Sequence, residues 1–337
     1  MLILGIETSC DETAAAVVED GRKILSNEIS SQIPLHEKFG GVVPEIACRA
    51  HGELAIPVID AALKDAGVAL GDLSAVAVTA GPGLIGALLV GVVTAKSIGW
   101  AARLPVIAVD HLESHVYANN LAADVEYPFV TLLASGGHTA LYLAESPMAH
   151  RLLGATTDDA AGEAFDKASA ILGLGYPGGP AIERAALSGR PDAVDFPRTM
   201  LEEGSLDFSF SGIKTAVLYY VRGQNARGAG ALDGAATADV AASFQAAVVD
   251  VLAGKAIRAC EKTGVARLAL SGGVAANKAL RERMAREAAA RGYALYVPPV
   301  NLCTDNAASV AGLAYHKLKA GRGAGLSFDA YARKTGG

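Results

Sequence analysis

"LILGIETSCDETAAAVVED", residues 2–20, is an apolar run, a short polar turn and a second apolar run. Small and β-branched residues flanking a tip of hydroxyls and carboxylates predict a β-hairpin. "PFVTLLASGGHTALYLAES", residues 128–146, repeats the plan, with Ser-Gly-Gly-His-Thr at its turn. Glycine at such a tip lets backbone N–H groups point into one concavity, where a phosphate can sit. One hairpin of this kind carries little weight. Two predict an internally duplicated fold with a nucleotide held between the halves.

Strand-then-helix units surround the hairpins. "SAVAVTAGPGLIGALLVGVVTAKSIGW" (74–100) is an apolar strand, a Gly-Pro-Gly turn and an apolar helix. "ARLALSGGVAANKALRERMAREAAARG" (266–292) is a strand, a Ser-Gly-Gly turn and a helix with a basic outer face. This alternation predicts mixed α/β layers. A chain of 337 residues exceeds what one core usually supports. Breaks near "DVEYP" (124–128) and "VPPVN" (297–301) predict an N-terminal lobe over 1–125, to which a C-terminal helix at 306–325 returns. The second lobe is expected over 126–305, with a mostly helical insertion at about 147–235 that includes a glycine-rich loop at 223–236.

The bulk properties narrow the function. Cys10, Cys48, Cys260 and Cys303 form no C-x-x-C pair, which fits a reducing compartment. The first residues lack the basic and long apolar regions of a signal peptide. The apolar stretch 84–95 is too short to span a bilayer and is expected to be a buried helix. A cytoplasmic protein with no membrane partner is expected. A formal net charge of −6 gives no general attraction to nucleic acid, so an RNA partner has to meet a local basic patch. Lys278, Arg281, Arg283, Arg286 and Arg291, with Lys255, Arg258, Lys262 and Arg267 upstream, are candidates; a solvated helix face is the alternative.

Several glycine pairs suit a nucleotide. Gly272 and Gly273 would let a ligand approach the backbone, and Asn277 follows them to read a ribose or base edge. In "YPGGP" (176–180), Gly179 offers a surface with no side chain, and Pro180 suits a first helical position. Asp166 either accepts hydrogen bonds from a ribose or belongs to a surface helix laced by the Glu163–Lys167 pair. There is no G-x-x-x-x-G-K-[ST] loop and no G-x-G-x-x-G after the first strand, which disfavours P-loop and dinucleotide-binding proteins.

"HLESH" (111–115) raises the question of metal. Successive helical side chains turn by roughly 100°, so His111 and His115 share a face while Glu113 points the opposite way. The zincin pattern H-E-x-x-H needs Glu beside the first His, where this chain has Leu112. The pair therefore reads as a metal site without peptidase chemistry. Asp305 is either a third ligand or the N-cap of the last helix. Two His and one carboxylate suit Fe(II), with zinc as the alternative. His138 is a further candidate; His36, His51, His150 and His316 read as surface or core residues.

Ten blocks in order resemble one family, the tRNA threonylcarbamoyladenosine transferases, once described as O-sialoglycoprotein endopeptidases. They are "GIETSCDET" (5–13), "GGVVPEIACRAH" (40–51), "TAGPGLIGALLVG" (79–91), "HLESH" (111–115), "LLASGGHT" (132–139), "DDAAGEAFDK" (158–167), "YPGGP" (176–180), "DFSFSGIKTA" (207–216), "SGGVAAN" (271–277) and "CTDNAA" (303–308). The resemblance implies a duplicated ATPase fold of the actin, Hsp70 and sugar-kinase type, two lobes with nucleotide and metal in the cleft. It implies transfer of threonylcarbamoyl from threonylcarbamoyl-AMP to the exocyclic amine of the adenosine 3′ of the anticodon, in tRNAs reading codons that begin with A. His111, His115 and Asp305 would bind one divalent metal, usually iron. Leu133, Ala134, Ser135, Gly136, Gly137, Asp166, Gly179 and Asn277 would bind the adenylate, with Glu183 where many bacterial members carry Asp. Asp11 and Glu12 match residues near the reacting group. A smaller paralogous protein, as heterodimer partner, and a separate small ATPase are implied as well. A metallopeptidase and a non-catalytic nucleotide switch are the competing readings; the first lacks its glutamate and the second leaves the His–His–Asp set without a purpose.

Overall fold

The computed structural model describes residues 1–199, 204–223, 234–322 and 325–333. The chain forms two compact units, residues 1–125 with 146–149 and 304–337, and residues 126–145 with 150–303.

The first unit begins with β1 (Leu2–Glu7), β2 (Glu12–Glu19) and β3 (Lys23–Ser31), then the single turn α1 (Ile33–His36) and the long α2 (Pro44–Ala66). It continues through β4 (Ala75–Gly81), α3 (Ile85–Ala102), β5 (Val106–Asp110) and α4 (His111–Ala122). The strands lie in the order β3-β2-β1-β4-β5. β1 pairs antiparallel with β2 and parallel with β4. Central strands covered by helices on both sides are apolar along their whole length, and β4 is buried at every residue.

The second unit holds β6 (Phe129–Ala134), β7 (Thr139–Ser146), β8 (Ala149–Ala155), α5 (Ala161–Leu172), α6 (Gly178–Ala186) and α7 (Ser211–Arg222). α8 (Gly234–Thr263), β9 (Arg267–Ser271), α9 (Lys278–Arg291) and β10 (Ala294–Tyr296) follow. Its sheet runs β10-β9-β6-β7-β8, the same arrangement as the first with the hairpin and the parallel neighbours in equivalent places. Both hairpins expected from sequence are present. α8 forms the spine of this unit's core, with Phe244 edge-on to Phe165 at 5.3 Å.

The chain then returns to the first unit as α10 (Ala307–Lys319). Gly5 of β1 makes this packing possible: a Cβ there would lie 2.3 Å from the Ala307 carbonyl oxygen.

Four expectations need correction. The segment expected as a mostly helical insertion opens with a strand, β8, because residues 149–155 complete the second sheet. Residues 224–233 of the expected loop lie outside the described residues, and α8 starts at Gly234. The C-terminal helix ends at Lys319 rather than 325. The helix expected over 84–95 as a buried rod spans 18 residues, and one face is open: Ile85, Leu89, Val93 and Trp100 are exposed, Trp100 at 76%. By length and apolarity, α3 and α8 both reach what a membrane span requires; α8 is mostly buried in its own unit.

Candidate active site

α4 begins where β5 ends, and Asp110 makes the transition. Its Oδ1 accepts the N–H groups of Leu112 and Glu113, capping the helix, while Oδ2 accepts the Tyr331 hydroxyl at 2.9 Å. The cap fixes His111 as the first helical residue and places His115 one turn on, with ring centroids 4.6 Å apart. Asp305 meets them from the turn before α10, its Oδ1 3.0 Å from His115 Nε2 and 3.9 Å from His111 Nε2. One ligand atom from each of the three lies within 4.8 Å of the others. The cap of α10 is Asn306, whose Oδ1 accepts the Ser309 N–H, so Asp305 is not the N-cap. Glu113 points away and faces Lys317 at 3.4 Å, as the helical geometry requires.

The donor set fits a divalent metal: two imidazoles and one carboxylate converge in a mostly buried setting. Its support comes from residues that sequence reasoning missed. Glu7, at the end of β1 and 1% exposed, has one oxygen 3.2 Å from His111 Nδ1 and 2.6 Å from the Thr79 hydroxyl; its other oxygen accepts the Ser9 N–H. Such a carboxylate orients a metal-binding imidazole and raises its basicity. Burial opposes a charge on His111, but the Asp305 and Glu7 carboxylates outweigh it and raise its pKa to about 9. Burial likewise opposes the charge on Glu7, yet the His111 imidazolium holds that carboxyl below its ordinary range. Glu7 sits in the quoted block "GIETSCDET", but no local spacing ties it to a histidine over a hundred residues later.

Asp11 and Glu12 stand at the tip between β1 and β2. Burial, then the carboxylates of Asp305 and Asp11, push the Glu12 carboxyl well above the usual range.

In the second unit a chain of contacts joins most of the expected adenylate residues. Gly272, with φ of 84°, lies so close to Ala134 that a Cβ would fall 2.4 Å from its carbonyl oxygen. Gly162 of α5 donates its N–H to Ser135, and Asp166 accepts the Gly178 N–H that opens α6. Glu183 of α6 accepts the Lys278 N–H that opens α9. Asn277 caps α9 through the Leu280 N–H, and its amide donates to Gln245 at 2.8 Å.

These contacts revise several assignments. The Leu133 and Ala134 side chains are buried within β6 and Ser135 is buried after them, leaving Gly136 and Gly137 as the open part of the tip. Gly272 serves packing, whereas Gly273 and Gly179 have open space where a Cβ would stand. Pro180 is the third residue of α6, not the first. The Glu163–Lys167 pair forms at 2.7 Å. Among the basic candidates, Lys255 is fully buried, Arg281 is held by the Ala275 and Pro298 carbonyls, and Arg283 and Arg291 pair with Glu287. His138 stays at the second hairpin tip beside Ser135. His36 and His51, expected as surface or core residues, are buried and share one hydrogen-bonded network.

Two sheets of matching strand order, one per unit, define a duplicated ATPase-type fold, and the buried His–His–Asp set marks it as a candidate metal-dependent member. Solved structures share this fold: full-length HypF in its phosphate- and nucleotide-bound form aligns with a TM-score of 0.60 at 16% identity, over 94% of this chain and 46% of that one. Component A of the (R)-2-hydroxyglutaryl-CoA dehydratase of Acidaminococcus fermentans aligns with a TM-score of 0.53 at 16% identity, over 95% and 99%. The chain belongs to the tRNA N6-adenosine threonylcarbamoyltransferase family, whose model matches residues 23–312. Members similar to it include those of Syntrophotalea carbinolica, 53% identical over 94% of this chain and 92% of that protein, and Geobacter sulfurreducens, 53% identical over 98% and 96%.

Proposed function

We propose that the protein transfers the threonylcarbamoyl group of threonylcarbamoyl-AMP to N6 of the adenosine 3′ of the anticodon, in tRNAs reading codons that begin with A. The observation that carries this reading is the convergence of His111, His115 and Asp305 with Glu113 turned away, in a chain of this family. The glutamate that would activate water for peptide hydrolysis is missing from the metal face, so acyl transfer to a bound amine is favoured over hydrolysis.

His111, His115 and Asp305 would hold the metal, which the N,N,O donor set suggests is Fe(II), with zinc the alternative. When bound, it supplies Lewis-acid polarisation of a carbonyl oxygen. Gly136 and Gly137 offer backbone amides to the phosphate, and Gly179 gives a bare surface for the nucleoside. Asp166, Glu183 and Asn277 act chiefly by holding the N-termini of α6 and α9 in place. The N6 nitrogen attacks the carbamoyl carbon, the bond from that carbon to the phosphate oxygen breaks, and AMP departs. Glu12 takes the proton lost by the amine. Its place at the hairpin tip supports that role. Asp11 stands beside it and helps to hold its pKa up.

The exposed face of α3, with Ile56 of α2, supports a heterodimer with a smaller paralogous protein. A separate small ATPase completes the proposed system, and the cytoplasm is the proposed location. With much of the α9 basic face paired internally, partners are expected to supply part of the tRNA affinity.

The test is a transfer assay with threonylcarbamoyl-AMP, unmodified tRNA and the partner proteins, followed by nucleoside mass spectrometry. Wild type is expected to form threonylcarbamoyladenosine and His111→Ala to form none. If wild type makes no product under conditions where another family member does, the reading fails.

A further inference from the structure

Behind the first hairpin lies a run of buried polar side chains that the reaction as described does not use. Thr13, Gln32, His36 and His51 are each 1% exposed or less. Val43 N–H lies 3.2 Å from His36 Nδ1, His36 Nε2 lies 3.3 Å from Gln32 Oε1, and Gln32 Nε2 lies 3.4 Å from Thr13 Oγ1. Thr13 Oγ1 then lies 2.7 Å from His51 Nδ1, and His51 Nε2 lies 2.9 Å from the Cys10 carbonyl oxygen.

The two ends decide the direction of every proton between them. A backbone N–H can only donate, so His36 Nδ1 is bare and its proton sits on Nε2. A carbonyl can only accept, so His51 carries its proton on Nε2 and takes the Thr13 hydroxyl proton at Nδ1. Gln32 fits between, accepting from His36 and donating to Thr13, with its Nε2 also 3.3 Å from both His51 ring nitrogens. All five hydrogen bonds therefore run one way, from Val43 to Cys10, an arrangement in which each bond polarises the next. Both histidines are neutral in it, and burial does hold His51 below its ordinary pKa. Gln32 adds a second hold, donating its backbone N–H to the Asp11 carbonyl at 2.9 Å.

Apolar side chains of similar volume would fill this space without desolvating four polar groups. What the polar chain adds is a fixed position for the Cys10 carbonyl, next to the Asp11 carbonyl that the Gln32 backbone holds, immediately before Glu12. We propose that His51, Thr13, Gln32 and His36 form a positioning relay, through which the segment 32–43 holds the Cys10–Glu12 tip in its working geometry. His51 is a positioning residue: it touches the tip backbone and not the reacting atoms. The catalytic part of this inference rests on the role given to Glu12 above.

The experiment compares wild type with His51→Phe, His51→Gln and Thr13→Val by hydrogen exchange of the 10–13 amides, metal content and transfer kinetics. Phe keeps the ring volume without the N–H, and Gln restores a donor toward Cys10. His51→Phe and Thr13→Val are expected to speed tip exchange by about tenfold. His51→Phe is expected to lower kcat by roughly 10–100-fold, the cost of a misplaced catalytic group, with KM for the adenylate and metal content unchanged. His51→Gln should recover both readouts to within about threefold of wild type. Tip exchange and kcat that stay within about twofold of wild type in both His51→Phe and Thr13→Val overturn the relay. So does a His51→Gln variant as impaired as His51→Phe. Should His51→Phe not fold, Thr13→Val decides alone. Exchange is read without turnover, so an inactive wild type would sink the proposed reaction and leave the relay to be judged by its tip amides.

Discussion

His111 Nδ1 lies 3.2 Å from a Glu7 carboxylate oxygen, and that oxygen also accepts the Thr79 hydroxyl at 2.6 Å. The imidazole is thereby held from behind, with its Nε2 on the side of Asp305. A buried carboxylate in this place makes His111 a stronger ligand and a stronger base together.

Glu7→Gln keeps the volume and removes the charge. It is expected to weaken metal binding by about 10–100-fold, the usual effect of losing such a partner. Metal titration monitored by calorimetry checks this; an unchanged affinity removes Glu7 from the site's support.

The pH dependence has a definite sign. His111 rises from 6.5 to about 9 on folding, so in metal-free protein its stabilising contribution is complete below pH 6.5 and is lost as pH climbs through 9. Metal must displace that proton, so metal affinity should increase over the same interval. Thermal melts of chelator-treated protein should fall from pH 6.5 to 9, and metal-loaded protein should fall less. A metal-free melting temperature that rises across the interval contradicts the His111–Glu7–Asp305 electrostatics.

Gly179 has nothing within 4 Å of the place a Cβ would take. Gly179→Val should therefore fold with a stability loss below about 1 kcal/mol. Adenylate affinity should nevertheless drop at least about tenfold, because the added side chain occupies the surface assigned to the nucleoside. Equal affinity for threonylcarbamoyl-AMP in variant and wild type would place the nucleoside elsewhere.

The open face of α3 offers a third kind of test. Val93 is 59% exposed, so Val93→Glu should leave the fold intact. Buried in an interface, the new carboxylate should weaken binding of the smaller paralogous partner by about 30-fold or more, the scale of a hot-spot loss. Analytical ultracentrifugation of the mixed proteins reads this directly, and an undiminished heterodimer would place the partner on another surface.

The N-cap of α9 tests the split between structural and ligand roles. Asn277→Ala should cost about 0.5–2 kcal/mol through loss of the cap. If Asn277 acts chiefly as a cap, adenylate affinity should change in step with the melting temperature across Asn277→Ala and Asn277→Asp. Aspartate retains the cap, so a large loss of affinity at full stability would give Asn277 a direct contact.

What the sequence determined by itself is what depends on near neighbours along the chain. Two hairpins of the same plan carried the duplication, because a strand's apolar run and its turn are written in consecutive residues. His111 and His115 announced a metal face because four residues make about one helical turn. The displacement of Glu113 was equally local, and Lys317 now faces that side chain. Tertiary structure alone decided the partners of these local features. Glu7 comes 104 residues before His111, and Asp305 comes 190 after His115; only the packing of β1 and the turn before α10 against α4 brings them together. Asp305 had two readings, and the hydrogen bonds gave the α10 cap to Asn306; Asn277, read only as a nucleotide contact, also caps α9. α3 shows the limit of hydropathy: it is apolar on all sides, and composition cannot say which side its own unit covers. His36 and His51 read as surface or core residues, and their network was not legible because Gln32, Thr13 and the Cys10 carbonyl lie far apart along the chain. Spacing along a helix or strand follows from backbone geometry, whereas contact across elements follows from the one packing that buries all the apolar faces together.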